Sequence, residues 1–158
     1  MIRLPIFLAA TACIAVAGVA IAGGHSGNPA VKARKAHMQL YAHNMGVLGG
    51  MAKGEVEYNA DIATAAATNL VTLTGLNQMT YWVPGTSSDD LPDESRALPA
   101  IWEDGGFAKA MEIGAAMNTA AQALAEAAGN GPEAIGAAMG GVGQQCSVCH
   151  KAFQKPRG

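Results

Sequence analysis

From residue 29 onward the apolar positions fall into four runs with helical spacing. In the first, Val31, Met38, Tyr41, Met45, Leu48 and Ala52 recur at steps that share one face of an α-helix. Asn28-Pro29 reads as an N-cap followed by a first-turn proline, and Gly54 is placed to end the helix at about Lys53. A second helix is predicted from near Asn59, with Asp61 facing the positive end of its dipole and Ile62, Ala66, Leu70, Leu73 and Leu76 as its stripe. Its threonines are poor helix formers, so packing must hold it. The third runs from about Asp104 to Ala128, with Phe107, Met111, Gly114, Met117, Ala121 and Leu124 on one side. Gly129-Asn130-Gly131 breaks it. Pro132 and Glu133 open the fourth, followed by Ile135, Met139, Val142, Cys146, Cys149 and Phe153. Gly136, Gly140, Gly141 and Gly143 weaken this last helix by ~1 kcal/mol each relative to alanine. A tight helix crossing, or a large flat ligand that needs the backbone close, would offset that loss.

The segment from Met79 to about Glu103 breaks the pattern. It holds Pro84, Pro92, Pro99, the acidic Asp89, Asp90, Asp93 and Glu94, and both tryptophans. So long a connection is functional or mobile by default. Here it is either a crossing strap pinned by Trp82 and Trp102 or a cover for a ligand. Short first and third connections between four amphipathic helices predict an all-α, antiparallel up-down-up-down four-helix bundle.

Residues 1–22 read as a cleaved secretory signal: Arg3, an apolar run from Leu4 to Ile21, and the small-residue site Ala20-Ile21-Ala22. One domain is expected over 23–158, opening on a polar lead-in. No other stretch is long and apolar enough to span a bilayer, so no stable membrane span is expected after cleavage. The destination is the periplasm. Composition adds close helix packing, since the chain is 50% hydrophobic with 20 glycines and 5% aromatic residues. The formal net charge of −2 argues against a nucleic-acid binder.

Both cysteines beyond the leader lie in Cys146-Ser147-Val148-Cys149-His150. Cys-x-x-Cys-His is the attachment pattern of haem c: two thiols become thioethers to the porphyrin and the histidine takes an axial position on iron. A zinc site would need a second ligand pair, which is missing, and a thioredoxin-like site would need a βαβ context. Cys146 and Cys149 are therefore expected to carry one haem c covalently, with His150 as the proximal iron ligand.

The opposite axial position is less determined. An up-down-up-down bundle brings the start of helix one to the end of helix four. At 1.5 Å per residue Met38 lies about 13 Å into helix one, near the level of His150, whereas Met45 and Met51 lie about 24 and 33 Å in. Met111 is at a comparable depth on helix three. Met139 shares a helix with His150 and cannot oppose it. His37, about 100° round the helix from Met38, and His43 are alternatives. A methionine at helical spacing is more often core filler.

Several further segments narrow the choice: Arg34 with Met38 four residues later, Asn44-Met45-Gly46-Val47-Leu48-Gly49 followed by Ala52-Lys53-Gly54, and Pro99-Ala100-Ile101-Trp102 before Phe107. With the C-terminal haem motif, these make the chain resemble the class II c-type cytochromes, the cytochrome c′ family, over essentially its whole mature length. Within that family the methionine at position 38 resembles the low-spin branch typified by cytochrome c-556. The resemblance implies a six-coordinate haem with His150 and Met38 as axial ligands, a haem-propionate contact at Arg34, and a one-electron carrier; with no acid-base pair or nucleophile accompanying the haem motif, no enzyme is expected. The alternative it implies is a high-spin, five-coordinate protein that binds a small gas such as nitric oxide. His37 departs from the family pattern.

The same topology gathers Lys32, Arg34 and Lys35 with Lys151, Lys155 and Arg157 at the haem end. A basic collar built on Lys32, Lys35, Lys151 and Lys155 would steer docking to acidic periplasmic redox proteins. Glycine- and alanine-rich helix faces also permit a homodimer.

Overall fold

The computed structural model describes residues 27–156; the expected signal segment 1–22, Cys13 within it, and Arg157 lie outside the described residues. Four long helices make the domain: α1 (Pro29–Ala52), α2 (Ala60–Gly75), α3 (Gly106–Ala127) and α4 (Pro132–Phe153). Each packs against its chain neighbours and α1 closes on α4, which gives the expected four-helix bundle. Among the described residues there is no strand, only an isolated bridge between Ala97 and Gln154. No described helix is long and apolar enough to cross a membrane.

The helix ends follow the local chemistry. The Asn28 side-chain oxygen accepts from the Ala30 and Val31 amides, and Pro29 occupies the first turn. Gly54, at φ +70°, closes the other end by donating to the Met51 carbonyl. Asn59 caps α2 by accepting from the Ile62 amide. The third helix begins two residues later than the pattern suggests, at a glycine that no other residue could replace. A Cβ on Gly106 would stand 1.9 Å from the Ala100 carbonyl oxygen, because the short 3₁₀ turn Pro99–Ile101 crosses the start of α3.

The inner faces also differ from the hydrophobic pattern in two places. On α2 the buried residues are Ala63, Ala66, Ala67, Leu70 and Leu73, while Ile62 and Leu76 are exposed. In an alanine-rich helix the closest contacts are filled by methyl groups, so the larger apolar side chains do not mark the inner face. On α3 the buried residues are Ile113, Ala121 and Leu124; Phe107 and Met111 stand exposed at 41% and 62%.

Two apolar clusters result. The larger joins Tyr41, Leu48 and Met51 of α1, the inner face of α2, Ala121 and Leu124 of α3, and Ile135 and Val142 of α4. The smaller gathers Ile101, Ile113 and Phe153, with Trp82, Trp102 and Cys149 against them. Two of the α4 glycines do serve crossings: a Cβ on Gly136 would meet Ala52 at 3.8 Å and one on Gly141 would meet Ala120 at 3.5 Å. Gly140 and Gly143 face open space.

Candidate functional site

Cys146 and Cys149 are one turn apart on α4 and both are half-buried. Their surroundings differ. Cys146 packs against the larger core and Cys149 against the smaller one, so the thiol pair sits on the seam between the two clusters. Burial pushes both thiols above their ordinary range, and the neighbouring Cys146 adds to the effect on Cys149. His150, in the last turn of α4, is exposed.

The glycine contacts fix the level of every other group relative to these three. Ala52 stands opposite Gly136 and Gly49 opposite Met139, so counting along antiparallel α1 and α4 brings Met38 level with His150 and His37 level with Lys151. Ala120 opposite Gly141 brings Met111 of α3 to the same level. His37 and Met38 are thus both at the height of His150, and they face differently. Met38 is 38% exposed on the flank of α1. His37 lies in the buried stripe at 4%. Its ring packs 4.7 Å from Tyr41 and 5.7 Å from Tyr81, centroid to centroid. Its Nε2 has no hydrogen-bond partner, and the Leu73 carbonyl accepts from the ring. Burial lowers the imidazole's affinity for a proton, and the Leu73 bond works the other way. His43 is exposed on the outer side of α1, beside Gly46 and Val47.

Tyr41 links this stripe to the motif. Burial raises the phenol well above its usual range; the proximity of Cys146 adds to this, and a hydrogen bond with Gln78 opposes it.

Arg34 is placed differently from a solvent-facing arginine. It is buried, and burial lowers its pKa. One terminal nitrogen donates to the Tyr81 carbonyl at 2.9 Å and the Thr86 hydroxyl at 2.7 Å. The other donates to the Thr86 carbonyl at 2.8 Å and the Ser95 hydroxyl at 3.1 Å. Its guanidinium carbon lies 5.0 Å from the Trp82 ring centroid and 5.7 Å from that of Trp102. A propionate reaching Arg34 would compete with four acceptors already in place. The long connection is therefore a strap held to α1 from inside. Its other end is tied to the haem-motif helix, where Leu98 donates to the Phe153 carbonyl and Lys155 to that of Arg96. The sequence signal for this, missed in the pattern of apolar residues, is a lone arginine on an inner stripe with two tryptophans in the facing connection.

These residues fit haem c. Two thiols one helical turn apart and an imidazole beside them are the donor set that its attachment needs. α1 and α4 touch least of the neighbouring helix pairs. Uncovered apolar surface on Met38, Met111 and Val148 lies at the same level. Cys146 and Cys149 would hold the ring and His150 its iron.

A short C-terminal haem motif on the last helix of an antiparallel four-helix bundle defines a class II c-type cytochrome. The sequence model of the cytochrome C′ family matches residues 29–154, and the chain belongs to that family. A cytochrome c′ of Cereibacter sphaeroides is 42% identical over 127 residues, covering 80% of this chain and 83% of the relative. A cytochrome c-554 of the same organism is 36% identical over 126 residues, covering 79% and 80%. A solved cytochrome c′ from Rhodobacter sphaeroides superposes with a TM-score of 0.75 at 41% identity, covering 81% of this chain and 96% of that one. As a member of the family the protein carries covalently attached haem c.

Proposed function

We propose that this is a periplasmic monohaem cytochrome whose distal haem face takes a diatomic gas such as nitric oxide. In this reading Met38 is not a fixed axial ligand and the protein is not an enzyme. Haem c, when bound, supplies a one-electron couple and an iron atom that accepts a small ligand. The chain's own work is narrower: Cys146 and Cys149 would fix the ring and His150 would hold its iron. The observation that carries the reading is the kinship with cytochrome c′, of which the Cereibacter sphaeroides protein is 42% identical to this chain. The match to a cytochrome c-556 of Agrobacterium tumefaciens, at 31% identity, is weaker than that to the cytochrome c′ above. A solved variant of the Alcaligenes xylosoxidans cytochrome c′, 30% identical to this chain, has nitric oxide bound.

The second reading is an electron carrier with His150 and Met38 as ligands, and the shared level of the two residues is in its favour. The two separate in the absorption spectrum of the ferrous holoprotein under carbon monoxide. Conversion to a carbon monoxide complex is expected. A low-spin spectrum indifferent to the gas would overturn the proposal and restore Met38.

A further inference from the structure

α4 ends at Phe153, within one turn of His150. The last carbonyls of a helix have no partner of their own, and a free end frays. This end is held from outside. Leu98 donates to the Phe153 carbonyl and Lys155 to the Arg96 carbonyl, both at 2.9 Å, on either side of the bridge between Ala97 and Gln154. The Gln154 amide closes the final helical bond, to the carbonyl of His150 itself at 3.0 Å. The turn that carries the iron-binding imidazole therefore takes its place from strap residues 96–98.

Those residues are placed in turn from α1. In the α1–α4 register Arg34 stands level with Gln154, at the height of this ladder. Its guanidinium donates to Ser95 Oγ, and the same oxygen accepts from the Ala97 amide at 3.2 Å. One hydroxyl thus joins a buried cation to the middle of the ladder. Packing repeats the connection: Trp82 and Trp102, whose rings flank the guanidinium, share the smaller apolar cluster with Phe153 and Cys149. The Trp102 Nε1 locks the two indoles together by donating to the Trp82 carbonyl at 3.1 Å. All four acceptors of Arg34 are neutral oxygens of the strap. A charge buried on neutral partners is a costly way to gain stability alone, whereas its several donors fix several atoms at once. We propose that Arg34 is a positioning residue for His150: through Ser95 and the strap it sets the orientation of the axial imidazole, and with it the reduction potential of the haem. The surroundings of a ligating histidine fix its ring orientation and tune the metal. No bond is made or broken in this role. It rests on His150 as the iron ligand and is the same under either reading of the opposite haem face.

Two variants of the holoprotein separate positioning from support. Ser95→Ala removes the hydroxyl that joins Arg34 to the ladder and leaves the other three acceptors in place. Thr86→Val removes an Arg34 bond of the same kind, from a hydroxyl that reaches Val83 and not the ladder. Ser95→Ala is expected to speed amide hydrogen exchange at Leu98 and Lys155 by about tenfold. In the ferric protein it should also move the hyperfine-shifted ring resonances of His150, and the reduction potential should change with them. Thr86→Val should leave all three measurements at their wild-type values. Unchanged exchange in Ser95→Ala would overturn the proposal, because Arg34 would then not hold the ladder. Faster exchange with unmoved His150 resonances would overturn it too, by showing support without positioning. Equal shifts in Thr86→Val would reduce the effect to general loosening and sink it. If Ser95→Ala does not fold, Arg34→Lys takes its place, since one ammonium cannot span both Ser95 and Thr86. A His150 ring without hyperfine shift in the wild-type protein is a separate outcome: it removes His150 as the ligand and the proposal with it.

Discussion

A guanidinium placed between two indoles has left most of its water behind, and its charge must be met by oxygen. Arg34 has four acceptors on Tyr81, Thr86 and Ser95, all from the strap between α2 and α3. Hydrogen bonds to charged groups contribute about 1.5–3 kcal/mol, and a buried acceptor left bare costs on that order. Arg34→Met is therefore expected to lower the unfolding free energy of the holoprotein by about 2–4 kcal/mol in denaturant titration. Arg34→Lys should recover only part of it, because an ammonium cannot present the planar fork that reaches both Thr86 atoms. One residue tests the haem site in the same way. Met38→Ala is expected to leave the absorption spectrum and carbon monoxide binding unchanged, as the gas-binding reading requires. Conversion from low to high spin in that variant would overturn that reading and make Met38 the ligand. At this scale the attaching residues were legible in the sequence and the distal side was not. Cys-x-x-Cys-His is a local pattern whose chemistry needs only its own spacing. Whether residue 37 or residue 38 turns inward depends on a rotation of α1 that its neighbours settle, and both residues satisfy the helical period.

At the scale of elements, short-range chemistry dominates. The caps Asn28 and Asn59 and the stop at Gly54 could be read from sequence because each acts within one turn. The inner face of α2 could not, because its alanines carry the contact and its isoleucine does not. The glycines divide by the same logic. A Cβ on Gly106 would collide with a backbone carbonyl at 1.9 Å, and the crossing 3₁₀ turn carries Ile101 and leads directly to Trp102. Gly106→Ala is expected to cost about 3 kcal/mol or more and to loosen the Arg34 sandwich, which tryptophan fluorescence would report. Gly136 is different. It lies inside α4 with its nearest neighbour, the Ala52 methyl group, at an ordinary 3.8 Å. Gly136→Ala should raise stability by about 0.5–1 kcal/mol through helix propensity alone. A loss there would mean that α1 and α4 cannot accommodate even a methyl group, and that the crossing is tighter than the contact distance implies.

Across the whole molecule, charge is distributed less simply than the helix topology suggests. Of the basic residues at the haem end, Arg34 is buried and satisfied within the chain, so it adds nothing to a docking surface. Lys32 is half-buried and shares its surroundings with Glu94, which also accepts from the Asn28 amide. The acidic strap thus comes to the same end of the bundle as the start of α1. What remains outward is Lys35, Lys151 and Lys155, all exposed. Arg96 joins them, because the strap is bridged to the end of α4 and its guanidinium donates to the Lys155 carbonyl. Sequence position alone had left Arg96 out, since only the long-range bridge brings it there. A patch of four cations at the end of α4 that carries the haem motif, next to an acidic strap, would orient an acidic redox partner as well as attract it. Such steering acts over about one Debye length, near 10 Å at 0.1 M salt. Paired charge reversal, Lys151→Glu with Lys155→Glu, is expected to slow electron exchange with an acidic partner protein by about tenfold at low salt and to flatten or invert the salt dependence. The same variant should exchange electrons with a small neutral reductant at the wild-type rate. Stopped-flow measurements across ionic strength check both. An unchanged salt slope would assign these lysines to the negative end of the α4 dipole alone, where they favour the last turn of the helix without serving a partner.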